Sequence, residues 1–241
     1  MRGFFEKAEV SGGAAQRKGV SCAACGLYKK VSSPKMKPYG NFQKKIMVIG
    51  EVPEEEDDVK GIPFQGKNGQ FLKRKYKQLG IDLYEDCVSL NSLNCYGEGT
   101  GSQIQCCYPK VMSAIKMYKP QLIILHGGKA ISSVIGNRVK KEAGNLATWR
   151  GWTIPDWELG AWVCPTFSPA FVAGQEKEEA EALWIRDIKN FLMKRDEPFP
   201  YTGTPEDNII ITEDVDGVLG KMEDSSLFAF DIETTGLKPY N

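Results

Sequence analysis

The sequence predicts an α/β fold with a mainly parallel sheet covered by helices on both sides. Short apolar runs alternate with longer stretches of helical spacing, the order of strands and crossover helices. The runs are apolar at successive positions, as strands buried on both faces require. Hydrophobic residues make up 41% of the 241 positions, enough for a core and too many for a disordered chain.

Residues 1–20 are polar and Gly/Ala-rich and read as a flexible N-terminus. Lys44–Val52 has the pattern of a buried strand, and Gly69–Leu79 of a Lys-rich helix ending at Gly80. Cys87–Leu93 reads as a second strand. Gln105–Tyr118 is helical and stops before Pro120. Gln121–Gly127 is the clearest buried strand, with a short helix over Lys129–Ile135 after it. Trp152–Ile154 and Trp162–Thr166 add two strands. Glu176–Lys194 is a long helix with Ala182, Ile185, Ile188 and Leu192 along one face. These elements define a domain over 21–196. Glu197–Asp207, with three prolines, reads as a linker, and 208–241 as the start of a domain too short to bury its own core.

The formal net charge is zero, but it hides a split. Residues 1–150 carry 24 basic against 13 acidic side chains, and 151–241 carry 7 against 18. The basic half suits a polyanionic partner such as DNA. Lys67, Lys73, Lys75 and Lys77 are candidates for phosphate contacts, with Lys73 and Lys75 expected to be exposed. No apolar run approaches the roughly 18–20 residues of a membrane span. The N-terminus lacks the apolar stretch of a signal peptide, so a cytoplasmic location is expected.

Seven cysteines in a reducing compartment point to metal ligands or buried thiols rather than disulfides. Cys22-Ala-Ala-Cys25 has ligand spacing, and Cys95, Cys106 and Cys107 flank the second strand and the following helix. Four thiolates can thus meet at one edge of the sheet, and spacing does not separate zinc from an iron–sulfur cluster. Cys87 and Cys164, within strands, read as buried apolar residues. The single His excludes His-rich metal sites.

After the first strand comes Gly50-Glu51-Val52-Pro53-Glu54-Glu55-Glu56-Asp57-Asp58, then Gly61-Ile62-Pro63-Phe64-Gln65-Gly66. Ligands of open α/β sheets bind beyond the carboxyl ends of the strands, where this segment lies. A carboxylate there can orient water or steady a developing cation. Most of the acid run reads as a solvated turn. Phe64 is placed to stack on a flat ligand, and the Asn91 amide to read a base edge.

In this order the motifs resemble those of the iron–sulfur uracil-DNA glycosylases of the family 4 type. The match takes in Cys22 and Cys25, Gly50-Glu51-Val52-Pro53, Asp57-Asp58, Gly61 to Gly66, Asn91 with Cys95, and Cys107 with Pro120. Arg150-Gly151 and Pro165-Thr166-Phe167-Ser168-Pro169 follow in family order, so the resemblance covers about residues 20–195. It implies a three-layer αβα sandwich and a 4Fe–4S cluster on Cys22, Cys25, Cys95 and Cys107, with Cys106 the fallback for Cys107. It also implies flipping of uracil out of DNA and hydrolysis of its N-glycosidic bond. Asp57 would take the place of a catalytic Glu, with Glu51 the neighbouring acid. Phe64 would stack on the base, Asn91 would bond its edge, and Ser168-Pro169 would touch the strand. Phe167 stands where the family has a His, Glu54 where it has a Gly, and Asp57 is shorter than the family Glu. These departures imply weak or absent uracil excision, with Glu54 repelling charge on the leaving base.

Phe228-Ala-Phe-Asp231-Ile-Glu233-Thr-Thr-Gly236 resembles the first motif of DnaQ-like 3′–5′ exonucleases, in which Asp and Glu bind magnesium. A glycosylase-like domain followed by such a start resembles the N-terminal region of certain large bacteriophage DNA polymerases. The expectation is therefore a monomeric DNA-binding module of a replicative polymerase, in the host cytoplasm, partnered by polymerase and exonuclease domains of its parent chain. The alternatives are a working uracil or modified-pyrimidine glycosylase and a protein-interaction domain of the replisome.

Overall fold

The computed structural model describes residues 21–138, 149–174, 178–199, 216, 217 and 220. Contacts divide the chain into two units, 1–200 and 201–241. In the second, the described residues 216, 217 and 220 are helical. The proposed linker beyond residue 199, the exonuclease-like segment with Asp231 and Glu233, and the N-terminal 20 residues lie outside the described residues.

The first unit is built on five strands: β1 (Ile46–Gly50), β2 (Cys87–Asn91), β3 (Leu122–His126), β4 (Ile154–Asp156) and β5 (Ala161–Thr166). Their spatial order is β2-β1-β3-β5-β4, with all pairs parallel except β4–β5. The α/β class and the mainly parallel sheet are as expected. The helices are α1 (Cys22–Cys25), α2 (Glu55–Lys60), α3 (Lys67–Gln78), α4 (Gly101–Tyr118), α5 (Gly128–Ile131), α6 (Pro169–Gly174) and α7 (Glu178–Lys194). A π turn over Ser132–Gly136 continues α5. Among the described residues, no helix is long and apolar enough to cross a membrane.

Strand alternation sorts the core into two layers. Met47, Ile49, Ile123 and Leu125 face Val111 and Ile115 of α4. Ile46, Val48, Leu122 and Ile124 face Leu72 and Tyr76 of α3 and Trp184, Ile188 and Phe191 of α7. The α7 stripe at i, i+4 and i+7 is fully buried, and each such side chain contributes about 1.5–3 kcal/mol.

Two expectations for local structure are corrected. The acid run is not a solvated turn: Glu55–Lys60 is helix α2, begun by a Glu54 N–H to Asp57 bond and ended at Gly61 in the left-handed region (φ 68). Acids in a first helical turn complement its dipole, so the run favours helix where hydrophobic periodicity is silent. Cys106 and Cys107 do not open α4, which starts at Gly101 behind a Thr100 cap with Gln103 closing the capping box.

The chain leaves β1 toward β2 on one side and later returns to β3 on the other. The resulting crevice at the carboxyl ends of β1 and β3 is where a ligand is expected.

Candidate functional site

At that edge Gly50 of β1 pairs with Asn91 of β2. A Cβ at position 50 would sit 2.4 Å from Asn91 Oδ1 and 2.8 Å from Phe64 Cζ. The Phe64 ring and the Asn91 amide therefore meet over bare backbone, and glycine is the residue that leaves room. Phe64 is 6% and Asn91 4% exposed, and the Asn91 side-chain amide makes no hydrogen bond among the described residues. An amide left without protein partners keeps donors and an acceptor open to a ligand with complementary polar atoms.

Phe64 holds a left-handed backbone (φ 61), strained for a bulky residue, and its surroundings fix it. Asp57 Oδ1 accepts the N–H groups of Gln65 (2.5 Å) and Gly66 (3.1 Å). Tyr84 donates its hydroxyl to the Pro63 carbonyl at 2.5 Å. A Cβ on Gly69 would meet the Phe64 backbone at 2.3 Å, so the start of α3 presses directly on it.

The acids thus divide by task. Asp57 is 2% exposed, with Oδ2 accepting the Glu54 N–H and Oδ1 holding the Phe64 loop. Glu54 turns away from the Phe64 ring to the start of α3. Its carboxylate accepts the N–H groups of Asn68 (3.0 Å) and Gly69 (3.3 Å) and the Asn68 amide (2.9 Å) at the start of α3. Burial raises the Glu54 carboxyl above its ordinary value, against the pull of those N–H bonds. Asp58, 6% exposed, accepts the N–H groups of Ser32 and Ser33, both at 2.9 Å, and so ties the cysteine-bearing segment to α2. Glu51 leans to the β3–α5 turn, where Oε1 accepts the Lys129 N–H at 3.0 Å. Its Oε2 has no partner among the described residues.

On the β3–β5 side, His126 is fully buried. Nε2 lies 2.8 Å from the Tyr76 hydroxyl, and Nδ1 lies 3.1 Å from the Phe167 carbonyl and 3.4 Å from Trp184 Nε1. Burial lowers its pKa to about 4, the Phe167 carbonyl acting the other way. Phe167 is half-buried against Phe171, with the Arg150 guanidinium over its ring. Ser168 Oγ accepts the Phe171 N–H, and Pro169 occupies the first position of α6, a cap that stops Phe167 from continuing into helix.

The four cysteines come from α1, from the turn after β2 and from α4. Asn94 N–H points at Cys107 Sγ (3.5 Å) and Lys35 N–H at Cys95 Sγ (3.3 Å). Burial raises the Cys107 thiol to about 11; the nearby Cys95, Cys22 and Cys25 push the same way and the Asn94 N–H opposes them. Burial likewise raises Cys95, with Cys25 and Cys22 adding to it. The chain thus brings these four thiols near one another. Helical neighbours diverge by about 100°, and it is Cys107 that joins Leu93 and Ile104 on the inner side, against Leu27 after α1. Among the described residues, no group of three or more Cys, His, Asp or Glu closes on a single ion.

The lysines do not form one free patch. Lys67 and Lys77 are exposed. Contrary to expectation Lys73 and Lys75 are half-buried: Lys73 Nζ lies over the Tyr84 ring at 4.4 Å, and Lys75 pairs with Glu181. Burial, then Lys60, lowers the Lys73 pKa. Sequence reasoning missed Asp58, Tyr84 and His126 as organisers of the site. A polar residue at the end of an otherwise apolar strand was the available signal for His126.

The family model for the uracil DNA glycosylase superfamily matches residues 37–189. The chain is 27% identical over 183 residues to a type-4 uracil-DNA glycosylase of Thermotoga maritima, over 72% of this chain and 90% of the relative. It is 28% identical over 158 residues to the type-4 enzyme of Saccharolobus solfataricus (62% and 71%). It is 26% identical over 171 residues to that of Archaeoglobus fulgidus (68% and 84%).

Proposed function

Because the chain belongs to the uracil DNA glycosylase superfamily, we propose that it excises uracil, or a closely related pyrimidine, from DNA. The observation that carries this is the pairing of the Phe64 ring with the unpartnered Asn91 amide over Gly50. The ring supplies a stacking face and the amide bonds the edge of a base turned out of the helix. As the C1′–N1 bond breaks, its electron pair goes to the base. Water adds to C1′, and the free Glu51 oxygen orients that water and takes its proton. Asp57 acts one step back, through the loop that aims Phe64. The test is release of uracil from single-stranded DNA, read as abasic sites. Wild type is expected to be active. Glu51→Gln is expected to lose rate without losing stability, whereas Asp57→Asn loses both. An inactive wild type that binds DNA would favour the binding-module reading.

A slow form of the same reaction is favoured by Phe167. It brings a hydrocarbon ring, and no hydrogen bond, to the position the family resemblance gives to His. Glu54 does not contribute to that slowness, since it is spent on the start of α3.

Cys22, Cys25, Cys95 and Cys107 are the residues that would hold the iron–sulfur cluster that the family resemblance implies, and the influence of these thiols on one another supports one shared group. When bound, the cluster supplies four metal–thiolate links that pin α1 to α4. Anaerobically purified protein should be brown and contain iron; colourless protein with stoichiometric zinc would overturn this.

The proposed domain limits, 21–196 with a linker over 197–207, are supported by the contact division after residue 200. The exonuclease-like start, with Asp231 and Glu233 toward magnesium, and the phage polymerase setting rest on the Asp-x-Glu sequence alone. Two-metal cleavage needs further carboxylates around the same metals. Magnesium-dependent DNA degradation, lost in Asp231→Ala, would show that this pair takes part in one.

A further inference from the structure

A cleft of about 570 Å³ opens at the β5 side of the same sheet edge, lined by Arg150, Gly151, Trp152, Thr153, Arg186, Asp187 and Asn190. We propose that it docks the single strand of DNA flanking the excised base, with a base stacked on Trp152 and phosphate held by Arg186 and Arg150. The proposal rests on the DNA-acting reading above and extends it to a second contact region.

Charge is the first argument. Asp187 is the cleft's one acid; it is almost fully buried and spent, accepting from Arg150 Nη1 (3.0 and 2.7 Å) and the Thr166 hydroxyl (3.0 Å). Arg150 keeps Nη2 and Nε without hydrogen-bond partners among the described residues. Arg186, exposed on α7, makes no ion pair among them either. The lining therefore presents a surplus of guanidinium donors matched to phosphate.

Trp152 is the second. It is 54% exposed beside those cations, whereas a tryptophan is on average largely buried. An aromatic face next to arginines is how sequence-tolerant sites hold single strands; duplex bases have no free face to offer.

Position is the third. The Gly151 N–H bonds the Pro165 carbonyl at 2.9 Å, which fixes this segment to the carboxyl end of β5. Asn91, on β2, lies three strand spacings from β5, roughly 14 Å, within reach of a few nucleotides. Between them stands Phe167, which Arg150 covers.

The test is anisotropy of a labelled oligothymidylate long enough to cross the edge, with the full chain, at low and moderate salt. Trp152→Leu should weaken binding about fivefold or more and Trp152→Phe much less. Arg186→Gln should weaken it and lower the slope against log salt by about one. Lys116→Gln, an exposed charge in the last turn of α4 and outside the cleft lining, should leave affinity and slope near wild type. Quenching of tryptophan fluorescence on binding should shrink in Trp152→Leu. If wild type binds and both cleft variants match it, this inference fails and the glycosylase reading stands. If wild type binds no DNA at either salt, both fail. Competition by thymidine monophosphate as strong as by the strand would make the cleft a mononucleotide site and overturn the inference as stated.

Discussion

The two halves of the sheet edge use polar atoms in opposite ways. At β1–β2, the Asn91 amide and one Glu51 oxygen have no protein partner, while Asp57, Glu54 and Tyr84 are spent on holding Phe64 in place. At β3–β5 the buried groups close on one another: His126 on Tyr76 and the Phe167 carbonyl, Asp187 on Arg150 and Thr166. The first half leaves polar atoms open to the proposed ligand, while the buried polar groups of the second satisfy one another. Substituting the unpartnered groups of the first should therefore cost rate, and substituting the buried groups of the second stability.

The sharpest test of that division is Asn91→Ala. Removing a group that bonds charge developing in a transition state typically costs about 10²–10³ in rate. Stability should change little, because no protein group loses a partner. Single-turnover excision beside a urea melt checks both; a large stability loss with modest rate loss would erase the contrast.

His126 is the matching test in the other half. Its pKa is lowered to about 4 from 6.5, so between those values the unfolded chain binds more protons than the folded one. Stability is full above pH 6.5 and falls as pH descends to 4, by up to about 3 kcal/mol. Urea midpoints across that range should show the fall. His126→Gln should flatten it while lowering stability at pH 7, since Tyr76 and the Phe167 carbonyl lose their partner.

The fold was legible because buried parallel strands write themselves as apolar runs, and Leu122–His126 did so almost to the residue. The pair over Gly50 was legible for a related reason: Phe64 lies between Pro63 and Gly66, and Asn91 ends a strand. The tasks of the acids were not legible. Six carboxylates in eight positions look alike in sequence, and only the path of the chain decides that Glu54 caps α3, that Asp57 holds a loop and that Asp58 reaches Ser32 and Ser33. The exposure of Lys73 and Lys75 was misjudged likewise, because their cover, Tyr84 and Glu181, comes from distant segments.

Asp58 links the ligand half to the cysteine corner. Asp58→Ala leaves the Ser32 and Ser33 N–H groups without their acceptor, at a cost of about 1–3 kcal/mol. If the corner holds a cluster, the variant should also lose iron faster to a chelator, with excision by the remaining loaded protein near wild type. Loss of excision in step with unchanged iron would place Asp58 with the ligand-facing group instead.

The smallest expected effect is Phe167→His, which asks whether the closed half can be made to serve the ligand. A hydrogen-bond donor there would stabilise the leaving base, so the rate should rise. Two neighbours limit the gain. The Arg150 guanidinium over the ring at 5.2 Å disfavours a protonated imidazole, so the new His acts mainly as a neutral donor. Phe171, packed on the same ring, loses an apolar contact when it becomes polar. The rise should therefore be about tenfold at most, and larger at pH 6 than at pH 8, since protonation strengthens the donor and acid favours it. A rise of 10² or more, independent of pH, would show that Phe167 alone restrains this site.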